Sequence, residues 1–399
     1  MNKSLPAAKR TSTKKIIAIT ATLALLTLGS LPFLSRILNP QPPLPAEISI
    51  QQFQRATADW KGLFRTEPSR EDVLMLIAET ALKRRQPETA VACFTAIHSS
   101  HPRYGKSARL QEAQVLLKLN RAVAAESSFK SFLELASQSA ENTDPEQLAV
   151  AHRWLAWLMA VQLRFEDRVQ WLDLLINSKQ ADVYDAKQRC FPTLLVWASS
   201  LGSTRLREFL KQDPDNPNLL IAQARYDTAE GRPEQAALSL RKLLQQQPKN
   251  TRALAALLEA LFELNQLDEF SKTLDDAPTH TPDEPWLLTQ LRAEHALHKQ
   301  DYTTAEKFFN IVLQHDPANP ACHMGLANCF AGQGRTDNRQ QTQQRSLLLA
   351  RIRVQLSDVT PHNPQAAKQL AADARTLGLQ YAANTFLELA SRMLPAEHK

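Results

Sequence analysis

The residues best suited to metal chemistry are His295 and His298, which stand one helical turn apart in the segment EHALH. Two imidazoles at this spacing can share a metal ion, but a tetrahedral zinc site needs two further ligands. Those ligands would have to come from a distant part of the chain. We therefore predict solvated or partly buried histidines, with no metal and no cofactor.

The four cysteines, Cys93, Cys190, Cys322 and Cys329, form no C-x-x-C motif. Cys322 and Cys329 are seven residues apart on one predicted helix, which separates them by roughly 10 Å, too far for a disulfide. We therefore interpret all four as small packing residues.

Catalytic motifs are also missing from the sequence. There is no G-x-x-x-x-G-K-[ST], H-E-x-x-H or G-x-S-x-G pattern, and 9 glycines leave few positions for a phosphate-binding loop. The sequence therefore indicates a protein that is not an enzyme.

Composition favours helices as the elements that position these residues. Gly is rare, Ala, Leu, Gln, Glu, Lys and Arg are abundant, and the 23 prolines are interpreted as breaks between helices. Five of the six net positive charges lie in residues 1–15. A nearly neutral body argues against nucleic acid, whose binding depends on phosphate contacts.

The basic tail of residues 1–15 precedes 19 uncharged residues, 16–34, IIAITATLALLTLGSLPFL. This run is just long enough to span a membrane, and the positive charges before it predict a cytoplasmic N-terminus and an extracytoplasmic, periplasmic body. The alternative is a signal peptide cleaved near Gly29, giving a secreted protein. Residues 35–45 are a Pro-rich spacer.

A unit of 34 residues recurs from residue 71 to 397. Most copies have a small residue at position 8, such as Ala224, a small residue at position 20, such as Ala236, and a large apolar residue at position 24, such as Leu240. Two helices can cross closely at such small residues. The nine copies are 71–104, 106–139, 149–182, 183–216, 217–250, 251–284, 286–319, 320–353 and 364–397.

The pattern resembles the tetratricopeptide repeat, and specifically membrane-anchored bacterial proteins that carry it. Departures include Arg109, Glu112, Arg189 and Asp227, and the eighth copy is the weakest. The resemblance implies an all-α, right-handed solenoid of helical hairpins whose first helices line a concave groove. Residues 46–70 are expected to supply a capping helix.

Positions 2, 5 and 9 of each first helix form a stripe facing away from the core of the repeat, and the resemblance places this stripe in the groove. In the copies from 149 to 284 it includes four basic residues and three aromatics. One hypothesis is that they bind a peptide with acidic and apolar side chains; the alternative is packing between repeats and a solvated face. The candidate residues are Arg153, Trp157, Tyr184, Lys187, Phe191, Asn218, Arg225 and Arg252.

Two functions agree with these features. The first is a membrane-tethered scaffold that binds protein or peptide partners through the groove, in envelope assembly, secretion or complex assembly. The alternative is a non-catalytic accessory subunit of an envelope enzyme system, such as polysaccharide synthesis or cytochrome maturation. Capture of several peptides favours the first, and co-purification with one catalytic complex favours the second.

Overall fold

The computed structural model describes residues 69–138, 143–192 and 200–393, which form eighteen α-helices and no β-strand. The all-α prediction is therefore confirmed for these residues. The helices are α1 (Arg70–Lys83), α2 (Pro87–Ala96), α3 (Gly105–Lys118), α4 (Ala122–Gln138), α5 (Pro145–Val161), α6 (Phe165–Asn177), α7 (Val183–Cys190), α8 (Ser200–Gln212), α9 (Pro217–Ala229), α10 (Pro233–Gln246), α11 (Thr251–Glu263), α12 (Leu267–Asp275), α13 (Trp286–His298), α14 (Tyr302–His315), α15 (Pro320–Gly332), α16 (Thr336–Gln355), α17 (Pro364–Thr376) and α18 (Gln380–Arg392).

The predicted tail, membrane anchor and spacer lie outside the described residues, as does the capping segment up to residue 68. Within the part of the chain that the structure describes, no helix combines the length and the apolar character that a bilayer crossing requires. The anchor at 16–34 stays a prediction.

The chain divides into two compact units, Met1–His98 and Ser99–Lys399. In the first unit, α1 and α2 form a hairpin whose core contains Ala78, Ala90 and Phe94, all fully buried. In the second unit, α3 to α18 form a series of packed helices.

Several first helices begin at an Asn or Asp residue that is followed directly by Pro. Asn216, Asn319 and Asn363 accept backbone N–H hydrogen bonds through their side chains, and each is followed by Pro in the first turn. The amide caps free N–H groups, and Pro has no N–H to leave unsatisfied there. These pairs therefore fix where these three hairpins begin.

Small residues pack where the helices of a pair cross. Ala224 on α9 and Ala236 on α10 are both buried in one apolar cluster, together with Leu240. The turns between such helices contain a residue with positive φ, for example Asn120, Gly231 or Leu163 at φ 53. Each hairpin thus reverses direction within a few residues.

The copy at 183–216 departs from a regular hairpin. Helix α7 ends at Cys190 because Pro192 follows closely, and a proline both disfavours helical backbone before it and lacks the N–H of the next helical bond. Helix α7 packs against α6 and α18, whereas α8 packs against α5 and α9. The two helices of this copy therefore contact other helices more than each other.

Helix α18 joins the end of the second unit to its earlier part. Phe386 stacks against Phe191 with ring centres 6.1 Å apart, and the Tyr381 hydroxyl donates to Asp173 Oδ1 at 2.8 Å. Because Phe386 makes this contact, Leu387, at position 24 of its copy, is 39% exposed. The last hairpin is thus docked on α6 and α7.

Candidate functional site

The candidate site is an inner groove formed by positions 2, 5 and 9 of the first helices α9, α11, α13 and α15. Residues of this stripe line two adjoining cavities of about 350 Å³ and about 30 Å³. The stripe residues that line them are Asn218, Ile221, Arg225, Arg252, Ala255, Glu259, Leu287, Gln290 and Ala321.

The larger cavity combines apolar walls with a few polar groups. Phe165 and Trp286 contribute aromatic rings, and the Trp286 ring stacks on His315 with centres 5.2 Å apart. Gln290 contributes an amide and Arg353, at the end of α16, an exposed guanidinium. A space of this size and lining can hold one large side chain of a partner.

The first turn of α6 occupies the part of the inner groove next to this cavity. Glu166 Oε1 accepts the backbone N–H of Trp286 at 2.9 Å, at the start of α13. A carboxylate is favoured there because the first N–H groups of a helix lack partners and carry partial positive charge. The Arg225 guanidinium lies 5.9 Å from the Phe165 ring centre.

Asp167, in the first turn of α6, forms ion pairs with two arginines. Its Oδ1 accepts from Arg252 Nη2 at 2.6 Å, and its Oδ2 lies 2.6 Å from Arg164 Nη2. Burial raises the pKa of Asp167, but its hydrogen bonds and the positive charges of Arg252 and Arg164 outweigh burial and lower it. Asp167 is therefore a stable counter-ion for Arg252.

Arg225 is neutralised by Glu259 of the next repeat. Its Nε donates to Glu259 Oε2 at 2.8 Å and its Nη2 to Oε1 at 3.1 Å, a two-point pairing. Burial lowers the pKa of Arg225, but the charge and hydrogen bonds of Glu259 raise it above its usual value. An acidic ligand would have to compete with Glu259 for this guanidinium.

The remaining basic candidates lie on α5 and α7, away from the two cavities. Arg153 donates to Asp185 Oδ2 through Nε at 3.1 Å and through Nη2 at 3.0 Å. Lys187 is 8% exposed. Burial lowers its pKa, and the negative charge of Asp358, which acts in the opposite direction, is the smaller effect. The three candidate arginines thus have acidic partners within the chain.

The aromatic candidates have separate environments. Trp157 makes an edge-to-face contact with Phe209, with ring centres 6.1 Å apart, and Phe191 is fully buried against Phe386. Tyr184 is 52% exposed. Trp157 and Phe191 thus pack between helices, while Asn218, Arg225 and Arg252 line the cavities.

Glu294, at position 9 of α13, differs from the other charged groups of the inner groove. It has no ion pair or hydrogen bond to another side chain among the residues that the structure covers. Burial raises its pKa to about 7. Its charge contributes to raising the pKa values of the buried thiols of Cys322 and Cys329 on α15.

Several groove residues were missing from the set of candidates chosen from the sequence, although the repeat positions of some of them could have identified them. Leu287, Gln290 and Glu294 occupy positions 2, 5 and 9 of the copy 286–319, so the same rule finds them when it is extended by one repeat. Glu166 and Arg353 had no such signal, because they lie at the start of α6 and the end of α16, which are both second helices.

His295 and the cysteines lie in packing environments, whereas His298 is exposed. His295 is 8% exposed with its ring centre 5.7 Å from that of Phe270, and burial lowers its pKa. All four cysteines are buried and unpaired. In the described segments, no group of three or more His, Cys, Asp or Glu side chains is arranged to hold a metal ion.

Residues 227–293 match the tetratricopeptide repeat family. The match runs from the end of α9 into α13, so it includes the helices around Glu259 and Gln290. The expected tetratricopeptide repeat is thus confirmed for this part of the chain. Tetratricopeptide repeats generally serve as protein-interaction scaffolds. Curated proteins gave no significant match.

Among solved structures, a tetratricopeptide repeat protein from Parabacteroides merdae has 11% identity and a TM-score of 0.32, covering 65% of this chain and 98% of its own. The human IFIT1 dimer with PPP-AAAA has 11% identity and a TM-score of 0.35, covering 87% and 94%. The P58(IPK) TPR domain has 16% identity and a TM-score of 0.30, covering 81% and 93%. Likeness at this level gives no information on what the chain binds.

Proposed function

We propose that this chain is a membrane-tethered tetratricopeptide-repeat scaffold that binds a segment of a protein partner in its inner groove. The observation that carries the proposal is the cavity of about 350 Å³, lined by stripe residues of four successive first helices. A scaffold needs a surface that several repeats build together, and this stripe provides one.

The lining supports a protein segment as the ligand. Phe165, Trp286 and Leu287 offer apolar contact area, while Gln290 and Arg353 offer hydrogen-bond donors at its edge. Buried aromatic anchors surrounded by a few polar groups are typical of the energetic centres of protein interfaces. Of the sequence-based candidates, Asn218, Arg225 and Arg252 border this part of the groove.

The tether is proposed from the sequence alone. Residues 16–34 are uncharged and follow five basic residues, which favours an N-terminus in the cytoplasm and the repeats on the outer, periplasmic face of the inner membrane. A scaffold in this position fits a role in envelope assembly, secretion or complex assembly.

The groove can be tested with a photo-crosslinking amino acid, p-benzoylphenylalanine, placed at one position of the full chain in cells. At Met324, which is 56% exposed and occupies position 5 of the stripe on α15, we expect a crosslinked adduct with a discrete partner protein. The matched control is Leu238 on α10, which is 70% exposed and does not belong to the lining. Adducts at Leu238 with none at Met324 would refute the groove as the binding surface.

A further inference from the structure

The charges of the inner groove are paired within the chain, with Glu294 as an exception. Arg225 is paired with Glu259, and Arg252 with Asp167. Glu294 lies in the same stripe, is partly buried, and has no cationic partner in the parts of the chain that are described. A partly buried carboxylate without a partner is costly, and a cation that reaches it recovers that cost.

The larger cavity next to Glu294 has more carboxyl than guanidinium groups in its wall. The wall of the larger cavity contains the carboxyl groups of Glu166, Glu259 and Asp316 and the guanidinium groups of Arg225 and Arg353. With Glu294 one helical turn beyond Gln290, carboxyl groups outnumber guanidinium groups by four to two. Helix α15 presents the thiols of Cys322 and Cys329, whose pKa values burial raises, so they stay neutral.

We propose that the inner groove recognises a partner segment with an aromatic or large aliphatic side chain in the cavity and a lysine or arginine, two residues away, paired with Glu294. This inference rests on the proposed function and specifies its ligand. It replaces the acidic peptide that the basic stripe predicted, because the chain's own carboxylates already neutralise the three arginines of that stripe.

The spacing follows from helix and strand dimensions. Gln290 borders the cavity and Glu294 is four residues further along α13, a distance of about 6 Å along the helix axis. An extended peptide covers about 7 Å in two residues, and side chains two apart point to the same face. One face of a short extended segment can therefore fill the cavity and reach Glu294.

The test uses three dye-labelled heptapeptides of alanine with phenylalanine at the third position and lysine, glutamine or glutamate at the fifth. Their binding to the full chain is measured by fluorescence anisotropy. A new charge-assisted hydrogen bond predicts that the lysine peptide binds about tenfold more tightly than the glutamine peptide. The glutamate peptide should bind most weakly.

Three variants assign the effect to its residues. Glu294→Gln should remove the preference for lysine, Glu294→Lys should reverse it toward glutamate, and Ala321→Trp should weaken all three peptides by filling the cavity. The matched control is Glu388→Gln, an exposed glutamate on α18, which should bind as the wild type does.

The inference is overturned if the wild type fails to bind the lysine peptide more tightly than the glutamate peptide, or if Glu294→Gln keeps the preference. Such a result together with adducts at Met324 would leave the scaffold function intact and refute only the ligand chemistry. Absence of both adducts and peptide binding would refute the scaffold function as well.

Discussion

The replacement Glu294→Gln tests whether this carboxyl group is destabilising when it is ionised. Burial raises the pKa of Glu294 from 4.5 to about 7 in the folded chain. Between these two pH values the folded state binds more protons than the unfolded state, so the free energy of unfolding falls as the pH rises. Below about pH 4.5 the group is protonated in both states and contributes no penalty.

The size of the effect follows from the pKa difference. Each pKa unit corresponds to about 1.4 kcal/mol, so ionised Glu294 destabilises the fold by up to about 3 kcal/mol above pH 7. Glutamine has nearly the shape of the protonated acid and does not ionise. The variant should therefore match the wild type near pH 4.5 and exceed its stability by up to that amount near pH 8.

The assay is urea unfolding followed by circular dichroism at a series of pH values, for the wild type, Glu294→Gln and the exposed control Glu388→Gln. Only the difference between each variant and the wild type is compared, because other groups titrate equally in all three. A difference for Glu294→Gln that does not change with pH would refute the reasoning, as would an equal gain in the control.

Three further changes test other parts of the structure. Arg225→Ala should cost about 3–5 kcal/mol in urea unfolding, because it leaves Glu259 partly buried without its partner. The double variant Arg225→Leu, Glu259→Leu should recover most of this loss, and equal losses in the two variants would contradict the pairing. Gly325→Ala should lower the melting temperature and cost about 1–3 kcal/mol, since an added Cβ would overlap the Phe309 ring. An unchanged melting temperature would exclude this close contact. Deleting residues 1–45 should move the chain from the salt-washed membrane fraction to the soluble fraction, and a wild type released by salt alone would disprove the anchor.

Local and periodic signals predicted most of the helical fold. The helix starts at Asn216 and Asn319 depend on a cap and an adjacent proline, both of which are visible in the sequence. The small residues Ala224 and Ala236 share one buried cluster because the 34-residue period records the steric requirement of each crossing. Because the need for small residues at a helix crossing recurs in each copy, the sequence alone reveals it.

Contacts between distant repeats could not be predicted in this way. The docking of α18 on α7 places Phe386 rather than Leu387 in the core, and no period of 34 residues encodes a contact across nearly 200 residues. The same reason explains why the charges of Arg225 and Arg252 suggested an acidic ligand. Of their partner carboxylates, Glu259 belongs to the neighbouring repeat, and Asp167 to a helix 85 residues earlier in the chain.

The docking of the last hairpin also limits how this array can grow or shorten. In an open array each repeat contacts only its neighbours, so a terminal copy can be gained or lost with a local effect. Here Arg392 Nη1 donates to the Lys179 carbonyl at 2.7 Å, and Tyr381 is bonded to Asp173. A duplicated copy inserted between α8 and α17 would displace these groups by the rise of one whole repeat. The contact therefore restricts the number of repeats that the chain can contain. We expect relatives with other repeat numbers to lack Tyr381 and the Phe191–Phe386 pair.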